Sequence, residues 1–422
     1  MAIAIAAAPV ANAQQSDVLQ DFQNQSLDFP RGRGLVTVKE RDQPLYDPRA
    51  YELGSIELLP RVDAETSYDS NIYAVRKATG DLVARLHPRV DATTTIGDAI
   101  FKVAGEADRK QYLGHPSQST TDLALGSAIR YESSRDTSFY VGARLAKKTE
   151  SRTDPDAPLN SQRPIRYDSV STYVGGLHSF NRLRLAARFG AENRDYHNAR
   201  DASGAVIDEH FRSRLLLTGD LAAEYGLTPD ASLFIDGSVN KRDYGSASTI
   251  DPPRDSQGYR VTAGANFALT NLVRGQVGLG YFEQDFRSNA YPDPKGFAFK
   301  GKIEYLVTPL VTLTATANRG VEESSTPSVG AYVATQAGIG ADYEFLRNLI
   351  LSASVGYERD KFQGVDRRYT IGHAKLGAIY KLSPRVWLNA GYDFRNQTSA
   401  GSFPGRAFAR HQLMIGLTIQ GM

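Results

Sequence analysis

Apolar and polar side chains alternate along segments that recur through most of the chain. In residues 183–196, LRLAARFGAENRDY, Leu185 and Phe189 fall on one side of an extended backbone, and Arg184 and Arg188 fall on the other. This period of two residues predicts a β-strand, because successive side chains of a strand point to opposite faces, whereas an amphipathic helix repeats every 3.6 residues.

About 18 such segments follow residue 54, each roughly 9 to 14 residues long, which is the length of a tilted transmembrane strand. Short connectors such as SFNR and LTPD alternate with long polar ones such as SRTDPDAPLNSQRP. Short turns at one end and long loops at the other are typical of outer-membrane barrels, which close because lipid cannot satisfy an open sheet edge. The sequence therefore predicts an all-β fold, a transmembrane antiparallel β-barrel of about 18 strands.

Aromatic residues lie near both ends of the apolar strand faces, as expected where lipid headgroups begin. The residues predicted for the girdle at the short-turn end are Tyr131, Tyr225, Tyr305, Tyr343 and Tyr380. Those predicted for the girdle at the long-loop end are Tyr167, Tyr259, Tyr281, Phe297, Tyr357 and Tyr392.

Two soluble folds also alternate apolar and polar residues. A β-sandwich rarely runs so many long strands without a helix or a second domain. A propeller repeats a recognisable signature every 40 to 50 residues or so, and no WD or kelch-like signature recurs in this sequence. The membrane barrel is the better interpretation.

The first 50 residues differ from the rest of the chain. An apolar run ends at Ala11-Asn12-Ala13, the A-x-A pattern of a signal-peptide cleavage site, so residues 1–13 are interpreted as a signal peptide remnant. Residues 14–50 are polar and are broken by PRGRG, which predicts a short N-terminal periplasmic segment. The barrel is predicted over residues 51–422.

Composition narrows the class of protein. The apolar fraction is 41% and the mean hydropathy is −0.38. Helical membrane proteins need stretches of roughly 18 or more apolar residues, which this chain lacks after its first residues. The 49 basic and 47 acidic residues argue against a nucleic-acid binder, which would carry a basic excess. The chain has 0 cysteines, which excludes thiolate chemistry and disulfides.

Motifs of known chemistry are missing. The sequence contains no H-E-x-x-H, G-x-S-x-G, P-loop or dinucleotide fingerprint. The acidic pieces TDPDAP and YPDPKG lack EF-hand spacing. We therefore expect no enzyme, no cofactor and no metal site. One alternative stays open: His87 and His373 face the predicted lumen, and a Ser–His hydrolase pair is spatial rather than sequential.

Charged residues on the polar faces are predicted to line the barrel interior. An arginine facing lipid at mid-bilayer costs about 2–4 kcal/mol, whereas the lumen is wet, and barrels of about 16 to 18 strands enclose an aqueous channel. The alternative is a solvated lattice of ion pairs with no role in transport. The candidate pore-lining residues are Arg61, Asp63, Arg85, Arg89, Glu106, Arg130, Arg144, Arg184, Arg188, Glu192, Asp220, Arg242, Lys300, Lys302, Glu304 and Glu358.

A motif precedes and follows the first predicted strand. It reads V-x-x-R-x-x-P-x-Y-D-P, then G-x-x-x-x-x-P, then Y-D-x-N. This pattern resembles a β-barrel porin family of Gram-negative outer membranes that is associated with exopolysaccharide or capsule export. The residues that carry the resemblance are Arg41, Pro44, Tyr46, Asp47, Pro48, Gly54, Pro60, Tyr68, Asp69 and Asn71.

The resemblance implies a place in the cell outer membrane, with outer-membrane lipid, a polysaccharide and periplasmic export machinery as partners. On this interpretation the barrel is a conduit for an exported exopolysaccharide or capsule-like polymer. The residues themselves leave two alternatives open. One is a general diffusion porin for small solutes, and the other is a structural or adhesive barrel with a plugged lumen.

Overall fold

The computed structural model describes residues 36–155, 157–158, 160–245, 252–326 and 328–421. The predicted signal peptide remnant and the first part of the predicted periplasmic segment lie outside these residues. The short elements are β1 (Tyr51–Leu53), β9 (Ala199–Arg200), β10 (Val206–Ile207) and two 3-10 helices, Pro116–Gln118 and His210–Arg212.

Long antiparallel strands make up most of the described chain. They are β2 (Ile56–Asp69), β3 (Asp81–Ile96), β4 (Ala99–Tyr112), β5 (Thr120–Ser134), β6 (Thr137–Thr149), β7 (Arg166–Phe180), β8 (Leu183–Tyr196), β11 (Arg214–Thr228), β12 (Ala231–Tyr244), β13 (Ser256–Leu269), β14 (Val273–Phe286), β15 (Lys295–Thr308), β16 (Val311–Glu323), β17 (Ala331–Leu346), β18 (Leu349–Phe362), β19 (Arg368–Ser383), β20 (Val386–Ala400) and β21 (Phe408–Gln420).

These strands form a closed barrel. Each pairs with the next along the chain, β8 pairs with β11, and β21 returns to pair with β2. The sheet has 19 strands in the described chain, and β1 only extends the edge of β2, so 18 strands close the barrel. The predicted β-barrel and its strand number are confirmed, and the segment 183–196 is strand β8 itself.

Short turns and long loops lie at opposite ends of the barrel. Gly97 and Asn181 occupy two of the short turns with φ of 58° and 48°. Glycine and asparagine adopt this left-handed conformation at lower cost than other residues. The other end carries the long connections, such as residues 197–213 between β8 and β11. In barrels of this kind the short turns are periplasmic and the long loops extracellular.

The outer face of the barrel is apolar, as the alternation predicts. Phe189 is 63% exposed and Leu279 is 75% exposed, since only lipid would cover them. The predicted girdle residues lie on this face with one exception. Tyr167 was expected to face lipid, and this is wrong: it pairs with Tyr196 on the inner face, where the guanidinium of Arg194 lies 4.9 Å from its ring centroid.

No helix among the described residues has the length and apolar character needed to cross a bilayer.

The barrel lumen as candidate functional site

The strand register places all 16 candidate pore-lining residues on the inner face. For example, Arg89 lies opposite Glu106 on the neighbouring strand, and Asp220 lies opposite Arg188. Six of the candidates line a central cavity, and these are Arg188, Glu192, Arg242, Lys302, Glu304 and Glu358. The other candidates lie on the same wall outside that lining, and these are Arg61, Asp63, Arg85, Arg89, Glu106, Arg130, Arg144, Arg184, Asp220 and Lys300.

The wall formed by β2 to β6 is a lattice of ion pairs. Arg61 lies 2.9 Å from Asp63, and Arg144 lies 2.9 Å from Glu106. His87 stands between these carboxylates, with one ring nitrogen 3.6 Å from Asp63 and the other 3.6 Å from Glu106. Since side chains two residues apart on one strand share a face, opposite charges on this wall meet each other directly.

The cavity has a volume of about 1220 Å³. It lies beside the strands that face the ion-pair lattice across the lumen, among them β8, β11, β12 and β15 to β20. Its lining holds basic and acidic side chains in near-equal number. The basic groups of β8, β11 and β12 form one part of the wall, and these are Arg188, Arg194, Arg214 and Arg242. Hydroxyl groups of β16 and β18 form another part, and these are Thr312, Thr314, Thr316, Ser352 and Ser354.

Residues 36–50, called here the docked segment, contact the inner wall at the short-turn end. The backbone N–H of Val38 donates to Thr312 Oγ1 at 3.1 Å. Arg41 lies 2.6 Å from Glu344, and Lys39 lies 2.7 Å from Asp342. Val38 is only 1% exposed, so the segment is packed into the barrel mouth rather than lying free at its rim.

The Glu40 carboxylate fixes the same segment to β14. It lies 2.8 Å from the guanidinium of Arg274 and accepts a hydrogen bond from the backbone N–H of Thr37. Partial burial acts to raise the pKa of Glu40, but the Thr37 N–H and the Arg274 charge together hold it below its ordinary value.

The sequence motif of the docked segment supplies further anchors. The indole Nε1 of Trp387 donates to the carbonyl oxygen of Tyr46 at 3.1 Å. Asp47 lies 2.8 Å from Lys381, whose ammonium lies 4.7 Å from the Trp387 ring centroid. Pro44 lies within the turn in which the backbone N–H of Asp47 donates to the carbonyl of Gln43, and Pro48 follows this turn.

The second half of the motif anchors the first long loop and the barrel closure. Asn71 is 1% exposed, and its Nδ2 donates to the carbonyl of Val75 at 2.7 Å. Asp69 lies 2.9 Å from Arg410 on β21. Gly54 has φ of 66° in the turn between β1 and β2, and the carbonyl of Pro60 accepts from the last described residue at 2.9 Å. Tyr68 faces outward, 51% exposed.

The upper part of the β16–β17 hairpin separates from β15 and turns inward. We call residues 320–326 and 328–334 the inner hairpin. Strand β16 stays paired with β17 up to Glu323, and β17 stays paired with β18 up to Tyr332, but the pairing of β16 with β15 ends at Arg319. Val333 of the inner hairpin packs on Phe282 and Ala298, which lie on the inner faces of β14 and β15. The inner hairpin therefore lies on the lumen side of the neighbouring strands.

Glu323 joins the inner hairpin to the far wall. Its Oε1 accepts a hydrogen bond from Nε of Arg214 at 2.8 Å and forms an ion pair with Arg242, whose Nε also lies 2.8 Å away. Arg254, in the loop between β12 and β13, donates to the carbonyl of Ser324 at 2.6 Å. These contacts, called the Glu323 latch, narrow the long-loop end of the lumen. The alternation of polar residues breaks at Glu322–Glu323, which is the signal in the sequence that could have marked this site.

Residues from the loop between β6 and β7 also reach the cavity. Glu150 and Asp154 line it, and Arg152 donates to Ser161 Oγ at 2.7 Å and holds the loop in shape. Arg406, between β20 and β21, donates to the carbonyl of Arg152. The cavity is thus bounded at the long-loop end by the Glu323 latch and by the loop between β6 and β7, and at the short-turn end by the docked segment.

Within the described part of the chain, no group of three or more His, Asp or Glu side chains is placed to hold a metal ion.

A closed barrel with an apolar belt outside and a charged, water-accessible cavity inside defines an outer-membrane porin-like channel. Residues 43–421 match the model of the family described as "Putative beta-barrel porin 2", and the chain belongs to that family. It therefore resides in the outer membrane, in contact with outer-membrane lipid. A search of curated proteins gives no match.

Three solved structures from Pseudomonas aeruginosa illustrate what this chain is similar to. OpdL is 14% identical, with 87% of this chain and 99% of that chain covered and a TM-score of 0.46. OccK1 (OpdK) is 11% identical, with 86% and 98% covered and a TM-score of 0.47. A mutant of the ferric enterobactin receptor PfeA in complex with enterobactin is 8% identical, with 88% and 82% covered and a TM-score of 0.49.

Proposed function

We propose that this channel conducts an exported polysaccharide across the outer membrane, without covalent chemistry. The observation that supports it is the composition of the cavity wall. Arginines and tyrosines form one part of it and a column of hydroxyl groups forms another, so an extended, hydroxyl-rich and sparsely acidic polymer would find partners along its length. The 16 candidate residues on the inner face are proposed as the wall of this path.

The aromatic side chains of the wall offer flat surfaces beside the basic groups. The guanidinium of Arg188 lies 5.5 Å from the ring centroid of Tyr173, and Arg194 lies against the ring of Tyr167. Such pairs present an apolar ring face next to hydrogen-bond donors, which suits a sugar ring with its hydroxyls and carboxylates. Opposite them, Thr314 and Thr316 stand two residues apart on β16, about 7 Å along the strand.

The experiment is deletion of the gene followed by measurement of surface polysaccharide and of polymer retained in the periplasm. We expect surface polymer to fall and periplasmic polymer to rise. Complementation with Arg188→Gln should restore barrel assembly but lower export, whereas Lys241→Gln, on the outer face, should restore export fully. Unchanged surface polysaccharide in the deletion strain would sink the proposal.

The second candidate is a diffusion porin for small solutes, and the narrowing of both ends favours it. With the docked segment and the inner hairpin in place, a chamber of about 1220 Å³ suits a small solute better than a moving polymer. Planar-bilayer conductance with broad permeability to small sugars, in cells whose surface polysaccharide is normal, would favour this function over the first. Export of a polymer requires both obstructions to move.

A further inference from the structure

Four basic residues lie together on the outward face of the barrel at the long-loop end. Arg319 of β16 and Arg359 of β18 are both in register with Thr335 of β17, and Lys361 of β18 is in register with Arg368 of β19. They therefore share one face of the sheet on β16, β18 and β19, with Thr335 of β17 between them. Arg359, Lys361 and Arg368 are exposed, and we call the four residues the basic patch.

The basic patch has no close ion pair among the residues that the structure describes. None of its four cations has a carboxylate oxygen within 4.0 Å, and Arg319 donates instead to Thr335 Oγ1 at 2.9 Å. One loop carboxylate, Asp366, accepts from the backbone and hydroxyl of Ser402, each at 2.8 Å, and interacts with the charge of Arg368 from a greater distance. At least three positive charges of the patch therefore remain without a carboxylate partner. The acidic residues of β18 point the other way, into the lumen.

Two other basic residues at this end of the outer face have acidic partners. Lys241 lies 2.9 Å from Asp243, and Lys295 lies 4.0 Å from Glu283. Arg109 donates to Thr121 and Gln111 and stands alone. The basic patch differs from these residues because it gathers four cations on neighbouring strands.

The position of the basic patch relative to the aromatic girdle indicates which part of the membrane it contacts. Tyr357 belongs to the aromatic girdle on the same face, is 48% exposed and precedes Arg359 by two residues. The girdle marks the level of the lipid headgroups, and two strand residues span about 7 Å. The patch therefore begins just outside the girdle, at the depth of headgroup phosphates. Arginine's planar fork matches phosphate oxygens in a bidentate fashion.

We propose that the basic patch binds the phosphorylated headgroup of a glycolipid in the outer leaflet, from the lipid-facing side of the barrel. The binding is independent of what the lumen conducts. It would fix a lipid against β16 to β19, of which β16 and β17 continue into the inner hairpin.

The test compares the full-length protein with two double variants in phosphatidylcholine nanodiscs with and without lipid A. Arg359→Gln/Lys361→Gln removes half of the patch, and Lys241→Gln/Lys295→Gln removes the same charge elsewhere on the outer face. Native mass spectrometry counts bound lipid A. We expect the patch variant to bind at least tenfold more weakly and the control variant to bind as the parent does.

A heat-modifiable shift in gel electrophoresis confirms that each variant is a closed barrel. Lipid A with both phosphates removed should bind no better to the parent than to the patch variant. The proposal would be overturned if the parent and the patch variant bound lipid A equally. It would also be overturned if the parent bound dephosphorylated lipid A as tightly as lipid A. A patch that instead joins two copies would show as a dimer in the parent without lipid A, and this outcome also overturns it.

Discussion

The Glu323 latch is expected to control how long the lumen stays open. Glu323→Gln replaces a carboxylate that two arginines share by a neutral amide that can satisfy only one of them well. A hydrogen bond to a charged group contributes about 1.5–3 kcal/mol and a neutral one about 1 kcal/mol. Arg214 and Arg242 are 6% and 10% exposed but Glu323 is 25% exposed, so cavity water replaces part of the loss.

We therefore expect the variant to weaken the latch by about 2–3 kcal/mol, which raises the ratio of open to closed lumen by about 30- to 150-fold. Single-channel recording in planar bilayers measures this ratio as dwell times. The matched control is Glu322→Gln, which makes the same substitution at the adjacent position of the cavity lining and leaves the latch intact. Identical dwell times in the two variants would refute the reasoning.

Three further predictions follow from the inner and outer contacts of the wall. Phe189→Arg places a charge on the lipid face near mid-strand and should destabilise the barrel by about 2–4 kcal/mol, seen as loss of the heat-modifiable form. Arg188→Leu should assemble normally but change conductance. The opposite result would mean that the barrel faces are reversed. Asp47→Ala removes an ion pair beside Trp387, which is the single tryptophan of the chain. The fluorescence of Trp387 should shift to longer wavelength as the docked segment loosens. An unchanged spectrum would count against the docking of this segment in the barrel mouth. The pKa of Glu40 is lowered in the folded state, so its contribution is complete above the ordinary carboxyl pKa of 4.5 and is lost as the pH falls through the lower folded value. The same fluorescence shift should then appear on acidification, and Glu40→Gln should abolish its acid dependence; a shift that survives in this variant would assign it to another group.

The topology of the barrel could be read from the sequence because a period of two is a local signal. Phe189 and Arg188 are neighbours whose faces are fixed by the strand alone, and the same rule assigned the inner wall throughout. The one misplaced girdle residue, Tyr167, starts a strand after a long loop. The register of that strand is unbroken, and Tyr167 shares the inner face with Tyr173, so an aromatic residue near the long-loop end did not by itself indicate the lipid face.

The contacts that narrow the lumen could not be read from the sequence because they join distant parts of the chain. The Glu323 latch links residues separated by 109 positions, and Arg41 meets Glu344 across 303 positions. No periodicity encodes such a meeting. The sequence motif that contains Arg41 and Asp47 indicated a family, but only the fold shows that these side chains hold a segment inside the barrel mouth.

The two shortest strand pairings divide the barrel into unequal arcs. The closure of β2 on β21 and the pairing of β15 with β16 each extend over nine residues, whereas pairings such as β14–β15 and β19–β20 extend over 11 and 15. Between these seams lie an arc of twelve strands and an arc of six. The docked segment spans one seam, since Glu40 contacts β14 and Lys39 contacts β17. Fewer backbone hydrogen bonds therefore join the barrel wall at these two seams than elsewhere, and the docked segment bridges one of them with ion pairs.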